Sequence, residues 1–140
     1  MNKNIKIKKK IARDWFFNLQ KIICKEFENI EKEFGKKSKK KPKLFKKTTW
    51  KKPLNNGGGT YAILKEGLVF DSVGVNFSEV RGKFKKKFKS QVLGANKNPN
   101  YWASGISVVA HMKNPKIPAM HFNTRFICTS KSWFGGGMDA

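Results

Sequence analysis

Cysteine is scarce in this chain, and the shortage excludes whole classes of protein. The two cysteines, Cys24 and Cys128, form neither a CxxC pair nor the usual spacing of a metal site. A disulfide-rich secreted domain is therefore excluded, and we expect a reduced, cytoplasmic protein. The basic N-terminus lacks the continuous apolar segment of a secretory signal, and no apolar run is long enough to span a membrane.

Acidic residues are also scarce. Asp and Glu together number 9 against 31 Lys and Arg, which gives a formal net charge of +22. Such an excess suits a polyanionic partner, whether nucleic acid, an anionic membrane or a substrate with several carboxylates. Almost all of the charge is lysine, as in KKSKKKPK at residues 36–43, which is typical of a solvated surface. Because proteins that recognise nucleic-acid sequence also rely on arginine, we expect no nucleic-acid partner.

Arginine and histidine are the rarest basic residues, and they are unevenly placed. The chain has three arginines and two histidines, and both histidines lie with Arg125 inside HMKNPKIPAMHFNTR, residues 111–125. This concentration makes the segment our first candidate for a functional site.

The 140 residues are enough for one domain with a modest core, since 39% are hydrophobic and 13% aromatic. We predict a flexible basic arm at residues 1–10 and a single domain at residues 11–140. Apolar residues at helical spacing predict an amphipathic helix over residues 11–34, ended by Gly35. Its core-facing positions would be Ile11, Trp15, Leu19, Ile22, Ile23, Phe27, Ile30 and Phe34.

Strand candidates follow at residues 60–64, 68–73, 75–80, 105–111 and 120–129. We predict a lysine-rich connection at residues 36–59 and a basic, Asn-rich excursion at residues 83–100. One helix followed by successive strands with short connections predicts an α+β fold with a largely antiparallel β-sheet flanked by helices.

Polar side chains on the last two predicted strands can share one surface. Side chains on a strand alternate between its faces, and one face of the last strand is apolar apart from Thr124. If the two strands pair as a hairpin, their polar faces can coincide, although spacing alone does not fix that register. The surface would comprise Ser107, His111, His121, Asn123 and Arg125.

These side chains suit an anionic ligand. Arg125 offers a planar fork of donors for a carboxylate and stays charged at any working pH. A histidine can transfer a proton near neutral pH or, when neutral, bind a metal. In the C-terminal WFGGGMDA, three glycines would let the backbone approach a ligand closely, with Asp139 at the lip of that turn. The alternatives are a solvent-facing polar strand and a frayed tail.

Three segments together resemble a known family. GGGTYAILKEGLVFDSVGVNFSEVRG, WASGISVVAHMKNPKIPAMHFNTRFI and WFGGGMD closely resemble oxygen-dependent coproporphyrinogen III oxidase, an enzyme of haem biosynthesis, and follow that family's order. The resemblance covers about residues 15–139, and its most specific block is S-x-V-x-H-x-x-N-P-x-x-P-x-x-H-x-N-x-R at residues 107–125.

The resemblance implies an oxidative decarboxylation. Two propionate groups of coproporphyrinogen III become vinyl groups, which gives protoporphyrinogen IX, with molecular oxygen as the oxidant. No redox cofactor is implied, because the electron-rich tetrapyrrole itself reacts with oxygen. Some family members hold a divalent metal through histidines, and the full-length family is homodimeric.

The resemblance also assigns roles to residues of this chain. His121 matches the proposed proton donor, and Asp139 matches the acidic residue that engages the pyrrole N–H groups. Ser107 matches a substrate contact, and His111 with His121 matches two candidate metal positions. The substrate-binding triplet corresponds to Asn123, Thr124 and Arg125.

The family continues through a second half beyond the GGGxD segment, so we expect a truncated or split form of the enzyme. Two alternatives stay open, an inactive fragment of that enzyme and a lysine-rich nucleic-acid-binding protein. The enzyme reading predicts a stronger dependence on Arg125 and Asp139 than on the lysines of residues 36–52. Nucleic-acid binding predicts the reverse, together with a steep loss of affinity as salt rises.

Overall fold

The computed structural model describes residues 2–140, which form one α-helix and one six-stranded sheet. Each strand pairs antiparallel with the next, so the order in the sheet is the order in the chain. The α+β fold with an antiparallel sheet is thereby confirmed. The elements are α1 (Lys3–Ser38), β1 (Lys46–Lys51), β2 (Gly57–Lys65), β3 (Phe70–Lys83), β4 (Asn100–Met112), β5 (Met120–Cys128) and β6 (Ser132–Asp139).

Helix α1 packs across β3 and β4 on one side of the sheet, which we call the helix face. We call the opposite side the open face, because the one α-helix within residues 2–140 lies on the helix face; two short 3-10 helices, Pro53–Asn55 and Lys86–Gln91, lie in the connections. The two faces follow from the alternation of side chains along each strand. The helix face is apolar and carries the core, and its principal buried side chains are Ala62, Leu64, Val73, Val75, Phe77, Ile106, Val108, Ala110 and Phe126.

Two buried polar side chains of α1 tie the helix to the sheet. Gln20, only 1% exposed, donates from Nε2 to the carbonyl oxygens of Thr60 at 2.7 Å and Val75 at 2.9 Å. Because these carbonyls belong to β2 and β3, one amide group spans both strands. A buried polar group is stable only when it is hydrogen-bonded, so these bonds fix the position of the helix over the sheet.

The second tie is Glu31, which is fully buried. Its carboxylate accepts hydrogen bonds from three consecutive backbone N–H groups in and after the β2–β3 turn. The donors are Leu68 at 2.7 Å, Val69 at 2.8 Å and Phe70 at 3.0 Å. Bonds from backbone N–H groups to an ionised carboxylate are among the stronger neutral-to-charged contacts in proteins.

The buried face of α1 is offset by one residue from the predicted apolar stripe. The helix buries Ala12, Phe16, Gln20, Cys24, Glu31 and Gly35. Three of the predicted positions, Leu19, Ile23 and Phe27, are partly buried against the core. Others are exposed, including Ile11 at 64% and Trp15 at 51%. The prediction was wrong here because it ranked positions by hydrophobicity, whereas the bonds of Gln20 and Glu31 orient the helix.

Both ends of α1 also differ from the prediction. The helix begins at Lys3, so most of the predicted flexible arm is helical, with the Asn2 side chain accepting from the Asn4 N–H at 3.0 Å as a cap. Lysine is a good helix former, which allows the early start. The helix continues past Gly35 to Ser38 and is capped by Lys39, whose φ of 55° is left-handed, while the Lys40 N–H donates to the Gly35 carbonyl oxygen at 3.0 Å.

The strands differ from the prediction in two ways. Two predicted strands at the centre of the sheet are one long strand, and each edge of the sheet has a strand that was not predicted. Segments 68–73 and 75–80 form one strand, β3, which runs through Gly74 without a break. Two strands were missed, β1 within the lysine-rich connection and β6 within the glycine-rich C-terminus. Neither has the alternating apolar pattern of a half-buried strand, because both lie at the edges.

No helix within residues 2–140 is long and apolar enough to cross a membrane.

Replacing Glu31 with Ala should lower the free energy of unfolding by about 3 kcal/mol, because one buried and two half-buried backbone N–H groups lose their acceptor. Glu33→Ala is the matched control, since Glu33 is exposed and bonds only to Lys37 one turn on. We expect that change to stay within about 0.5 kcal/mol of the wild type. Urea unfolding measures both, and equal effects would contradict the tie between α1 and the β2–β3 turn.

Both cysteines are free and buried, and burial raises the pKa of Cys24 to about 11 and also raises the pKa of Cys128. Only the thiolate is alkylated readily. At pH 8 the folded protein should therefore react with iodoacetamide much more slowly than the urea-unfolded chain. The rate of the folded protein at Cys24 should keep rising toward pH 11, which mass spectrometry can follow. Rapid labelling of Cys24 in the folded protein at pH 8 would be the contrary result.

Candidate active site

The register of the sheet brings the predicted polar residues together on the open face. Strand β5 lies between β4 and β6, and Ser107 is directly opposite Asn123. Opposed residues in an antiparallel pair project from the same face, with Cβ atoms roughly 4.5–5.5 Å apart. The structure therefore has the hairpin pairing that the predicted surface required. All five of its members, Ser107, His111, His121, Asn123 and Arg125, belong to the open face.

Arg125 is exposed and stands between two glycines. Its neighbours across the sheet are Gly105 on β4 and Gly135 on β6, so no side chain flanks it there. One guanidinium N–H donates to the Asn123 Oδ1 at 3.3 Å, and Asn123 lies two residues earlier on the same strand face. The rest of the guanidinium fork faces the space above the sheet, where it could bind a carboxylate in two-pronged fashion.

His121 and Asp139 form the second pair of the site. They are directly opposite each other on β5 and β6, and His121 Nδ1 lies 3.5 Å from the nearer carboxylate oxygen of Asp139. Both side chains are exposed. We predicted that Asp139 lies at the lip of a glycine-rich turn, and the predicted turn was wrong. Residues Ser132–Asp139 form a regular strand, and its pairing with β5 sets Asp139 beside His121.

The two histidines do not by themselves complete a metal site. His111 is opposite Ser72 on β3, and His121 is opposite Val109 on β4, so they are diagonal neighbours roughly 7–8 Å apart. Within residues 2–140 no group of three or more His, Cys, Asp or Glu side chains is placed to hold a metal ion. Zinc sites need at least three protein ligands, so this donor set does not fit one. The metal role of these histidines stays a prediction.

Thr124 is separated from the rest of its predicted triplet. It is opposite Ile106 and belongs to the helix face, where it is partly buried. Asn123 and Arg125 point to the other side of the sheet. A ligand on the open face could therefore reach Thr124 only through its backbone.

Sequence reasoning expected close approach of a ligand at the C-terminal glycines but missed Gly74 on β3. Gly74, Gly135 and Gly137 all belong to the open face. A Cβ atom at Gly135 or Gly137 would meet nothing within 4 Å, and one at Gly74 would touch only Val109 at 3.5 Å. Packing within residues 2–140 therefore does not require glycine at these positions. Glycine inside a strand is unfavourable and often marks close approach by a ligand or another backbone.

Known proteins are similar to this chain along most of its length. The sequence profile of the coproporphyrinogen III oxidase family matches residues 11–140. The chain belongs to this family. An oxygen-dependent coproporphyrinogen-III oxidase of Rickettsia typhi is 52% identical over 131 residues, which is 94% of this chain and 46% of the relative. The corresponding proteins of Rickettsia felis and Rickettsia prowazekii match with the same identity and coverage.

The chain spans about half the length of the curated relatives that it matches. The matched part includes α1 from Ile11 onward and all six strands. The sheet, the open face and the cluster of rare side chains upon it all lie within the part of the chain that matches the family.

Neighbouring glycines of β6 provide a test of this register. Gly137→Ala should raise the free energy of unfolding by up to about 1 kcal/mol, because the new Cβ enters open space and the unfolded chain loses freedom. Gly136→Ala should lower it by about 1–3 kcal/mol, because its Cβ would clash with the Asn123 carbonyl oxygen. Urea unfolding of both variants distinguishes the faces, and a reversed order would contradict the pairing of β5 with β6.

Proposed function

We propose that this chain binds coproporphyrinogen III on its open face and takes part in its oxygen-dependent oxidative decarboxylation to protoporphyrinogen IX. Membership of the coproporphyrinogen III oxidase family supports the reaction. The main structural support is the setting of Arg125. Its guanidinium group is exposed, lies between two glycines on the neighbouring strands and donates a hydrogen bond to Asn123. It suits a ligand that presents carboxylates to a flat surface.

Charge complementarity supports the substrate. Four propionate groups make coproporphyrinogen III a tetra-anion, and the chain carries a net charge of +22. A basic field of this kind raises the encounter rate with an anionic ligand. Arg125 then supplies the directional part of recognition, because its donors match the two oxygens of a carboxylate. Asn123, two residues before Arg125 on the same face, adds an amide group, and Ser107, opposite Asn123, adds a hydroxyl group.

Asp139 and His121 suit the centre of the substrate. A carboxylate is the natural acceptor for pyrrole N–H groups, which are donors only. The Asp139 carboxylate is exposed, and so is the His121 imidazole beside it. An imidazole at this position could supply or take up a proton as the tetrapyrrole reacts. Gly135 and Gly137 leave space for a macrocycle to approach the sheet.

The proposed reaction balances with molecular oxygen as its oxidant. At each propionate, one C–H bond of the carbon next to the ring and the bond to the carboxyl carbon break, and a C=C bond forms. Carbon dioxide leaves, while molecular oxygen takes up two electrons and two protons to become hydrogen peroxide. Two such rounds give the two vinyl groups. In this proposal the residues of this chain bind the propionate groups, position the tetrapyrrole ring and transfer a proton.

Arg125→Ala should slow the conversion of coproporphyrinogen III by at least about tenfold, because a charge-assisted pair with a propionate is lost. The assay incubates the folded protein with the substrate in air and separates the products by chromatography. Vinyl-bearing products count as turnover, since spontaneous oxidation of the ring leaves all four carboxylates in place.

The control removes positive charge elsewhere. Lys41 and Lys52 are exposed and outside the site, so replacing both with Ala should leave turnover nearly unchanged. Arg125→Lys keeps the charge without the fork and should fall between wild type and Arg125→Ala. A folded wild-type protein that forms no vinyl product would refute the activity for these 140 residues. Equal losses in the lysine and arginine variants would instead indicate non-specific attraction.

A further inference from the structure

The open face contains a polar row that continues beyond the residues assigned so far. Strand register places Asn76 of β3 directly opposite Ser107, which is opposite Asn123, which in turn is opposite Gly137. Tyr61 of β2 is opposite Asn76 on the other side. Asn76 belongs to the segment GVNFS, in which Val75 and Phe77 are buried in the core, whereas Asn76 has a role neither in the core nor in the reaction proposed above.

The setting of Asn76 is unusual for a structural residue. Its backbone is paired on both sides, by β2 and by β4, but its side chain is exposed. Within residues 2–140 no hydrogen bond engages its carboxamide. Asparagine is disfavoured in strands, because a short polar side chain packs poorly on a pleated surface. Nothing in the folded core therefore accounts for asparagine at this central position.

Several of the residues near Asn76 on the open face are glycines and carry no side chain. Gly74 precedes it by two residues on the same face, and Gly105 is the neighbour of Ser78 across β3 and β4. A Cβ at Gly74 would make only an ordinary contact, so packing does not exclude a side chain there. Together with Gly137 on β6, these glycines make a shallow floor through which the amides of Asn76 and Asn123 project. Such a floor suits a flat ligand.

The spacing fits a ligand with several carboxylates. Strands lie about 4.8 Å apart, so Asn76 and Asn123 are about 10 Å apart across Ser107. An amide N–H₂ can donate to a carboxylate, as the Arg125 fork does. We propose that Asn76 is a further substrate-binding residue, whose Nδ2 donates to a carboxylate arm of the same tetrapyrrole that Arg125 binds. This inference rests on the proposed function and extends the binding surface to β3.

Binding of coproporphyrin III, the stable and fluorescent oxidised form of the substrate, tests the inference separately from turnover. Asn76→Ala should weaken binding by about tenfold, because one hydrogen bond to a charged group is lost. Asn76→Asp has the same shape but adds a negative charge, so it should weaken binding further than Asn76→Ala. That order distinguishes an amide facing a carboxylate from one that merely fills space.

Asn18→Ala is the matched control, because Asn18 is an exposed asparagine on α1, beyond the opposite face of the sheet. It should bind coproporphyrin III as the wild type does. Arg125→Ala tests the proposed function in the same titration, and urea unfolding verifies that each variant folds. Wild-type affinity in both Asn76 variants, with affinity lost in Arg125→Ala, would overturn the inference and leave the proposed function standing. Absence of saturable binding by the folded wild type would overturn both.

Discussion

The buried carboxylate of Glu31 is the constraint on which the arrangement of this molecule depends. Three consecutive backbone N–H groups, two in the β2–β3 turn and one at the start of β3, donate to it, and all three are buried or half-buried. Gln20, eleven residues earlier in α1, makes a second set of buried hydrogen bonds by donating to carbonyl oxygens of β2 and β3. Burial of apolar surface provides most of the stability, but α1 carries apolar residues on two neighbouring stripes, so burial alone does not choose between them. These directional bonds do.

The position of α1 determines where a ligand can bind. Once the helix occupies one face, every second residue of each strand is committed to the core. The residues between them must then face outward, and these include the rare side chains of β5. Antiparallel pairing aligns Ser107, Asn123 and Gly137 into one row without any loop, so the site is carried by rigid strands. A slip of one residue would transfer the whole set to the core.

Glycine residues on the open face lower the stability of the strands but leave space for a ligand. Each glycine inside a strand is less favourable than alanine by roughly 0.5–1 kcal/mol. The glycines at 135 and 137 meet no neighbour that would exclude a side chain, so the fold accepts this loss without a packing gain. The loss is offset by the core beneath, in which side chains such as Phe16, Val75 and Val108 are almost completely buried. The surface that results is flat, polar and open to a ligand.

The sequence alone determined the fold class, the existence of α1 and the side of β5 on which His121, Asn123 and Arg125 lie. Those conclusions need only the local periods of helix and strand, together with a motif specific enough to indicate a family. The tertiary structure decided the rest. It turned a glycine-rich tail into strand β6, set Asp139 beside His121, added Asn76 to the polar row, and buried Gln20 and Glu31 in place of Ile11 and Trp15. In each case the deciding partner lies on another strand or helix, so no pattern within a single element could have contained it.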